Sequence, residues 1–361
     1  MSWPQSRPQV ATMKGYHSPQ VDVRVRLNTN ESPFAPAEGF REALAERLAS
    51  VDWNRYPPRA AEPLRAGIAA LHGVSPDNVI AANGSNEVIQ TLLLTYAGGN
   101  GRVGLFSPTY ALHSHIARIV GAEVVTATRA PDFRVGAEAV ARFAADERPD
   151  VLFLCSPNNP TGTVEDPETV RAALEAVSDY GGVLVVDEAY IQFTGRRPGR
   201  FTAVDLQDEA TPLVVCRTFS KAWALAAVRL GYALAPSRIV AEMHKVVLPY
   251  HLDVMTQEIG MLCLQHAAAA DRRAAAVVAE RERLAEHLSG LPVRHWPSGA
   301  NFILFRPSGR DGAAVWQGLV DRSVLVRDCS SWEGLRDCLR VTVGTPEENT
   351  LFLEALAAVL R

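Results

Sequence analysis

The 361-residue sequence has no uncharged apolar run near the ~20 residues that a membrane-spanning helix needs. It also lacks a charge surplus. The net charge is -4, from 36 basic and 40 acidic residues, which gives no electrostatic case for a nucleic-acid or membrane partner. The opening stretch MSWPQSRPQVATMKGY has no apolar segment of the kind a secretory leader carries, so a cytoplasmic location is expected. Cysteine is scarce: Cys155, Cys216, Cys263, Cys329 and Cys338 are odd in number, scattered and without a CxxC pair. They are expected as small buried apolar groups in a reducing compartment, not as disulfides or metal ligands. The nine histidines show no metal-ligand spacing, and no Gly-x-Ser-x-Gly elbow is present. Gly99-Asn-Gly101-Arg-Val-Gly104 matches the dinucleotide fingerprint in letters alone. It leads from a helical pattern into a strand, the reverse of the order that the fingerprint requires.

What is present is ordinary globular material, with 47% hydrophobic and 21% charged residues, in a length suited to one large and one smaller domain. Residues 1–30 lack periodicity and read as an N-terminal arm. From residue 79 onward short apolar runs alternate with amphipathic helical patterns. Strands are predicted at 79–82, 102–106, 123–126, 151–155, 183–187, 213–217 and 230–235. Helices at 87–96, 112–120 and 167–180 separate several of them. This alternation predicts an α/β fold with a mostly parallel sheet covered on both faces. A long helical pattern over 256–289 then leads into strands at 301–305, 324–326 and 339–343 and helices at 313–321 and 347–360. That change of pattern predicts a smaller α+β domain. The expected division is a large domain over 50–255 and a small one formed by 31–49 with 256–361.

Ligands of open parallel sheets bind beyond the carboxyl ends of the strands. Those ends carry Gly84-Ser85-Asn86-Glu87, Pro108-Thr109-Tyr110, Asn158-Asn159-Pro160-Thr161-Gly162, Asp187-Glu188-Ala189-Tyr190 and Thr218-Phe219-Ser220-Lys221. Gly84, Ser85 and Asn86 sit between a predicted strand and a predicted helix, where backbone N–H groups favour a phosphate, and Ser220 and Arg229 suit the same anion. Lys221 follows a buried strand. Desolvation there lowers an amine's pKa and makes it a nucleophile able to form a Schiff base, although a lone lysine is more often a surface group. Asp187 suits a pyridine nitrogen, Asn159 and Tyr190 a ring oxygen, and Tyr110 the face of an aromatic ring. His113 and His115 lie on an amphipathic helix and are expected to be packed or solvated.

Four of these segments, Ser-Pro-Asn-Asn-Pro-Thr-Gly (156–162), Val-Asp-Glu-Ala-Tyr (186–190), Arg-Thr-Phe-Ser-Lys-Ala (217–222) and Val-Arg-Leu-Gly-Tyr (228–232), resemble in order and spacing the fold-type I pyridoxal-phosphate aminotransferases. Within these, the chain is most similar to the histidinol-phosphate aminotransferase group. That likeness rests on Arg-Leu-Asn-Thr-Asn-Glu-Ser-Pro (26–33), Asn-Arg-Tyr-Pro (54–57), Asn-Gly-Ser-Asn-Glu (83–87) and Leu-Pro-Tyr (248–250). It continues through Asn-Phe-Ile-Leu (301–304), Val-Arg-Asp (326–328) and Leu-Arg-Val-Thr-Val-Gly-Thr-Pro-Glu-Glu-Asn (339–349).

The resemblance implies a large domain with a mostly parallel seven-stranded sheet, a smaller α+β domain, and pyridoxal 5'-phosphate as cofactor. It implies that Lys221 holds the cofactor and moves the proton, and that Asp187 pairs with the ring nitrogen. Asn159 and Tyr190 would hold the ring oxygen, and Tyr110 would stack on the ring. Ser85, Asn86, Thr218, Ser220 and Arg229 would bind the cofactor and its phosphate. Tyr56 would reach that phosphate from the partner subunit of a homodimer. Arg340 would bind the acidic end of each substrate, with Arg327, Tyr16 and Tyr250 as candidates for the same subsite. The implied reaction takes an amino group from L-histidinol phosphate to 2-oxoglutarate. Phenylalanine or tyrosine as donor, and a phosphoamino-acid decarboxylase using the same lysine, are the alternatives. Three features depart from the group's usual pattern: no glycine stands two residues before Arg229, Asn86 replaces a frequent aspartate, and His113 replaces a frequent aromatic hydroxyl.

Overall fold

Twelve strands form two sheets in a computed structural model that describes residues 3–15, 20–195 and 201–361. In chain order they are β1 (Val25–Leu27), β2 (Val79–Ala82), β3 (Arg102–Ser107), β4 (Glu123–Thr128), β5 (Val151–Cys155) and β6 (Val183–Asp187). β7 (Leu213–Thr218), β8 (Gly231–Leu234), β9 (Val293–His295), β10 (Phe302–Pro307), β11 (Val324–Asp328) and β12 (Leu339–Thr342) follow.

The larger sheet has seven strands in the order β2-β8-β7-β6-β5-β3-β4. β4, β3, β5, β6 and β7 run parallel, while β8 is antiparallel to both β7 and β2. The central strands β5, β6 and β7 are buried along their whole length, which is why their sequences are continuous apolar runs. Edge strand β4 is partly exposed and carries Glu123, Thr126 and Thr128. Alternate residues feed opposite faces. Phe153 and Val185 join one core with the helices Ser85–Tyr96, Ala111–Val120 and Ser237–Val246. Leu152 and Leu184 join another with Ala137–Glu147 and Pro167–Ser178. The sheet is therefore a middle layer between two helical layers, as the alternating pattern predicts.

The second sheet has the order β1-β11-β12-β10-β9, with β1 parallel to β11 and the remaining pairs antiparallel. Phe305, Leu319, Leu284 and Phe352 fill the core between this sheet and its helices. The last helix, Pro346–Leu360, is started by a capping box: Thr345 accepts from the Glu348 N–H, and Glu348 accepts from the Thr345 N–H.

Three expectations need correction. Part of the arm is structural, because Val25–Leu27 pairs with β11 and buries Val25 and Leu27. The pattern over 256–289 is two helices, Val254–Gln265 and Ala267–Ser289, separated at His266. The first packs on the helices Phe40–Ala49 and Glu62–His72, the second on β9, β10 and the last helix, so the break lets one apolar pattern serve two cores. Phe40, placed by sequence with the smaller unit, is buried with Leu64, Val79 and Tyr232 against the larger sheet. Among the described residues, no helix is long and apolar enough to cross a membrane.

Candidate active site

A cavity of about 220 Å3 opens at the carboxyl ends of the larger sheet's strands. Ser85, Asn86, Tyr110, Asn159, Asp187, Tyr190, Thr218, Ser220, Lys221, Arg229, Arg327 and Arg340 all line it. These are the residues that the strand-end argument collects, except Arg327 and Arg340, which come from β11 and β12 of the second sheet.

One end of the cavity is suited to an anion. The helix Ser85–Tyr96 begins there behind Gly84, whose φ of 81° favours glycine. A Cβ on Gly84 would lie 2.8 Å from Arg229 Nη2, and a Cβ on Gly231 would lie 2.1 Å from the Ser85 nitrogen. Two glycines thus let the helix start, β8 and the Arg229 guanidinium close on one point. Arg229 Nη1 also donates to Ser220 Oγ at 3.2 Å. Backbone N–H groups, a hydroxyl and a fixed cation converge as a phosphate requires.

Asp187 ends β6 on the cavity floor and is almost fully buried. Its Oδ1 accepts from the Ala189 N–H at 3.1 Å, and its Oδ2 faces His113 Nε2 at 2.9 Å. His113 is buried, stacked on Phe153 at 4.6 Å and edge-on to Tyr110 at 5.3 Å. Among the described residues only Nε2 faces an acceptor, so the ring donates from that nitrogen and fixes the carboxylate. The sequence left His113 as packed or solvated; it is packed, and the contact with Asp187 was missed.

Lys221 Nζ donates to the Asn30 carbonyl at 2.8 Å and to the Thr29 carbonyl at 3.1 Å. Burial, and then the Arg340 charge, lower its pKa from 10.5 to about 7, with Glu31 acting the other way. Such an amine is neutral in an appreciable fraction near neutrality and is nucleophilic. Tyr190 OH accepts from Asn30 Nδ2 at 3.0 Å and from Asn159 Nδ2 at 3.3 Å. Burial pushes its pKa up to about 12, so it is a phenol and a hydrogen-bond donor.

Arg340 donates to Asn159 Oδ1 and, at 2.8 Å, to the Asn28 carbonyl, while its buried Nε has no hydrogen-bond partner among the described residues. Arg327 is its register partner across β11 and β12.

Two predicted residues, Tyr56 and Tyr250, are not brought to the cavity. Tyr56 and Tyr250 stack on each other at 4.5 Å on the surface, and Tyr56 is 80% exposed. Tyr16 lies outside the described residues. The sequence reading also missed Asn28, Thr29, Asn30 and Trp332, all of which line the cavity. Asn28 and Asn30 stand in the quoted segment 26–33, but nothing in a single sequence shows that this segment crosses the ends of another sheet.

These residues fit pyridoxal phosphate. A pKa-lowered amine, a fixed carboxylate, a phenolic donor and an anion cradle surround one cavity, and the unsatisfied Arg340 Nε points to a further anion. A model of the class I and II aminotransferases matches residues 23–356. The chain is 46% identical, over 98% of its length and 90% of the relative's, to a histidinol-phosphate aminotransferase of Frankia casuarinae. It is 43% identical, over 94% of its length and 91% of the relative's, to one of Thermobifida fusca. The crystal structure of histidinol-phosphate aminotransferase from Sinorhizobium meliloti, in complex with pyridoxal-5'-phosphate, superposes with a TM-score of 0.89. That match covers 100% of this chain and 98% of the other at 21% identity, which speaks for the fold. With site geometry, family model and full-length relatives in agreement, the chain belongs to the class I and II aminotransferases.

Proposed function

We propose that the protein is a pyridoxal-phosphate-dependent histidinol-phosphate aminotransferase of histidine biosynthesis. It exchanges L-histidinol phosphate and 2-oxoglutarate for imidazole-acetol phosphate and L-glutamate, reversibly. The observation that carries this reading is Lys221, an amine with a pKa near 7 in one cavity with Asp187 and Arg340. The names of the full-length relatives supply the substrate.

When bound, the cofactor supplies a carbonyl carbon for amines and a ring that accepts electrons from the substrate's α-carbon. Lys221 Nζ would hold that carbonyl carbon until the substrate amine takes its place. The freed Nζ would move the proton from the substrate's α-carbon to the cofactor's carbonyl carbon, across the nitrogen that joins them, which suits a base of pKa near 7. Asp187, held by two donors, would pair with the ring nitrogen. Asn159 and Tyr190 serve the ring oxygen, and Tyr110 covers a ring face. Ser85, Asn86, Thr218, Ser220 and Arg229 hold the phosphate end.

Arg340 and Arg327 take the acidic end of each substrate, since a guanidinium pairs with phosphate or carboxylate alike. Tyr16 and Tyr250 are assigned to the same subsite. A homodimer completes the site, with Tyr56 reaching the partner's cofactor phosphate. Its 80% exposure beside exposed Trp53 and Leu248 supports a covered surface there. The free, buried cysteines suit a reducing cytoplasm.

A glutamate-release assay tests the reaction. Glutamate should form from 2-oxoglutarate only when histidinol phosphate is supplied, and Lys221→Ala should abolish it. Release of carbon dioxide from a phosphoamino acid without any keto acid would instead make the protein a lyase.

A further inference from the structure

The hydrogen of Tyr190 has a direction, and it is set two residues away. Asn159 Oδ1 faces Arg340 Nη1, a group that only donates, so the Asn159 amide nitrogen turns to Tyr190. Asn30 is oriented in the same way from its other side. The Thr342 hydroxyl accepts the Asn30 backbone N–H at 3.0 Å and gives its hydrogen to Asn30 Oδ1 at 3.2 Å. Asn30 Nδ2 is thereby left to donate to Tyr190 at 3.0 Å. A phenol oxygen accepts about two hydrogen bonds and donates one. Both acceptor positions of Tyr190 are filled by amides, so its own hydrogen is left for an acceptor in the cavity.

Asn30 is suited to a double task. It is 1% exposed, with a φ of 55°, in the left-handed region that asparagine tolerates better than most residues. In that conformation its carbonyl takes Lys221 Nζ at 2.8 Å, while its side chain takes Tyr190. Asn301 Nδ2 braces the same carbonyl at 3.1 Å.

We propose that Asn30 and Thr342 are positioning residues that aim the Tyr190 hydrogen at the ring oxygen of the bound cofactor, and that Asn30 sets the place of Lys221 as well. The proposal rests on the cofactor reading given above. Among the described residues, the charged and titratable groups facing Tyr190 are Arg340, Asp187, Cys155 and Lys221, whose Nζ lies 5.7 Å from the Tyr190 ring, and those facing Lys221 are Arg340, Glu31, Arg229 and Tyr190. The Thr342 and Asn30 variants below leave all of them in place.

The test uses the full chain loaded with pyridoxal phosphate and no substrate, and reads the pH midpoint at which the visible cofactor band changes. A hydrogen bond from Tyr190 draws charge from the ring oxygen, which then holds the proton of the neighbouring Lys221-linked nitrogen less firmly. Removing the aim should raise the midpoint. Thr342→Val leaves Asn30 free to turn its oxygen to Tyr190, and the expected shift is upward by roughly 0.5 to 1 pH unit. Thr342→Ser should restore the parental value. Asn30→Gly keeps the backbone conformation and the carbonyl on Lys221 while deleting the amide, and should shift the midpoint upward too. In a Tyr190→Phe background neither variant should move it. Midpoints equal to the parent's in Thr342→Val and Asn30→Gly, or shifts as large in the Tyr190→Phe background, would overturn the proposal. A parent chain that forms no visible band would sink the cofactor reading itself, an outcome distinct from a band that forms and does not move.

Discussion

Lys221 gives the site its pH dependence. Its amine loses the proton near pH 7 because burial and Arg340 disfavour the charge. In the cofactor-free protein, the rate at which the visible band appears on adding pyridoxal phosphate should climb through about pH 7 and then level off. A rate still rising towards 10.5, the value of an ordinary lysine, would show that the amine is not desolvated. The stability linkage has the same origin. The unfolded chain holds this proton up to about 10.5 and the folded chain only to about 7, so this group's contribution to stability rises with pH between them. His113 makes a second residue-level claim. His113→Phe keeps a ring between Tyr110 and Phe153 but removes the hydrogen bond to Asp187. Hydrogen bonds to charged groups contribute ~1.5–3 kcal/mol, so kcat should fall roughly ten- to hundredfold with little change in KM. An unchanged kcat would mean that Asp187 needs no such partner. The sequence made Asp187 and Lys221 legible together, because Asp187 ends one apolar strand and Lys221 follows another after a short turn, and their motifs stand in the order of the family. The His113 contact was not legible. Helical periodicity points a side chain inward but does not say which strand end it meets, and β6 lies 74 positions on.

At the scale of elements, the strands of the larger sheet were readable because burial on both faces leaves continuous apolar runs. β1 and β9 were not, since three residues of mixed character carry no period. The break at His266 escaped for the opposite reason: the apolar pattern continues across it while the packing partners change. Loop glycines matter more than their letters show. Gly231→Ala would place a Cβ 2.1 Å from the Ser85 nitrogen, backbone against backbone, so β8 and the helix start must separate. The expected cost is ~1–3 kcal/mol of stability, together with weaker cofactor binding. Thermal unfolding and cofactor titration check both. A variant with parental melting and affinity would show that the phosphate cradle does not depend on this close approach.

At the scale of the whole molecule, the site exists because two sheets meet. Arg340 reaches the Asn28 carbonyl at 2.8 Å, and Asn30 joins Thr342, contacts that span 312 positions of sequence. The motifs made the larger sheet's half of the site visible. The contribution of the 28–30 segment depends on how β1 lies beside β11, which no local pattern encodes. Assembly should matter equally. Trp53, Tyr56 and Leu248 are exposed by 63%, 80% and 76%, and a second copy of the chain is proposed to cover them. Sedimentation should show a dimer, and Leu248→Glu should yield monomers that release the cofactor more readily. A parental chain that is monomeric and fully active would remove Tyr56 from the site.

The central claim is that Lys221, Asp187 and Arg340 hold pyridoxal phosphate and histidinol phosphate so that the amino group passes to the cofactor. The direct measurement mixes the loaded protein with histidinol phosphate, without any keto acid, and follows the visible cofactor band, with phenylalanine in parallel. The account predicts fast loss of the band with histidinol phosphate and a slow response to phenylalanine. A faster response to phenylalanine, or a band that histidinol phosphate leaves unchanged, would contradict it.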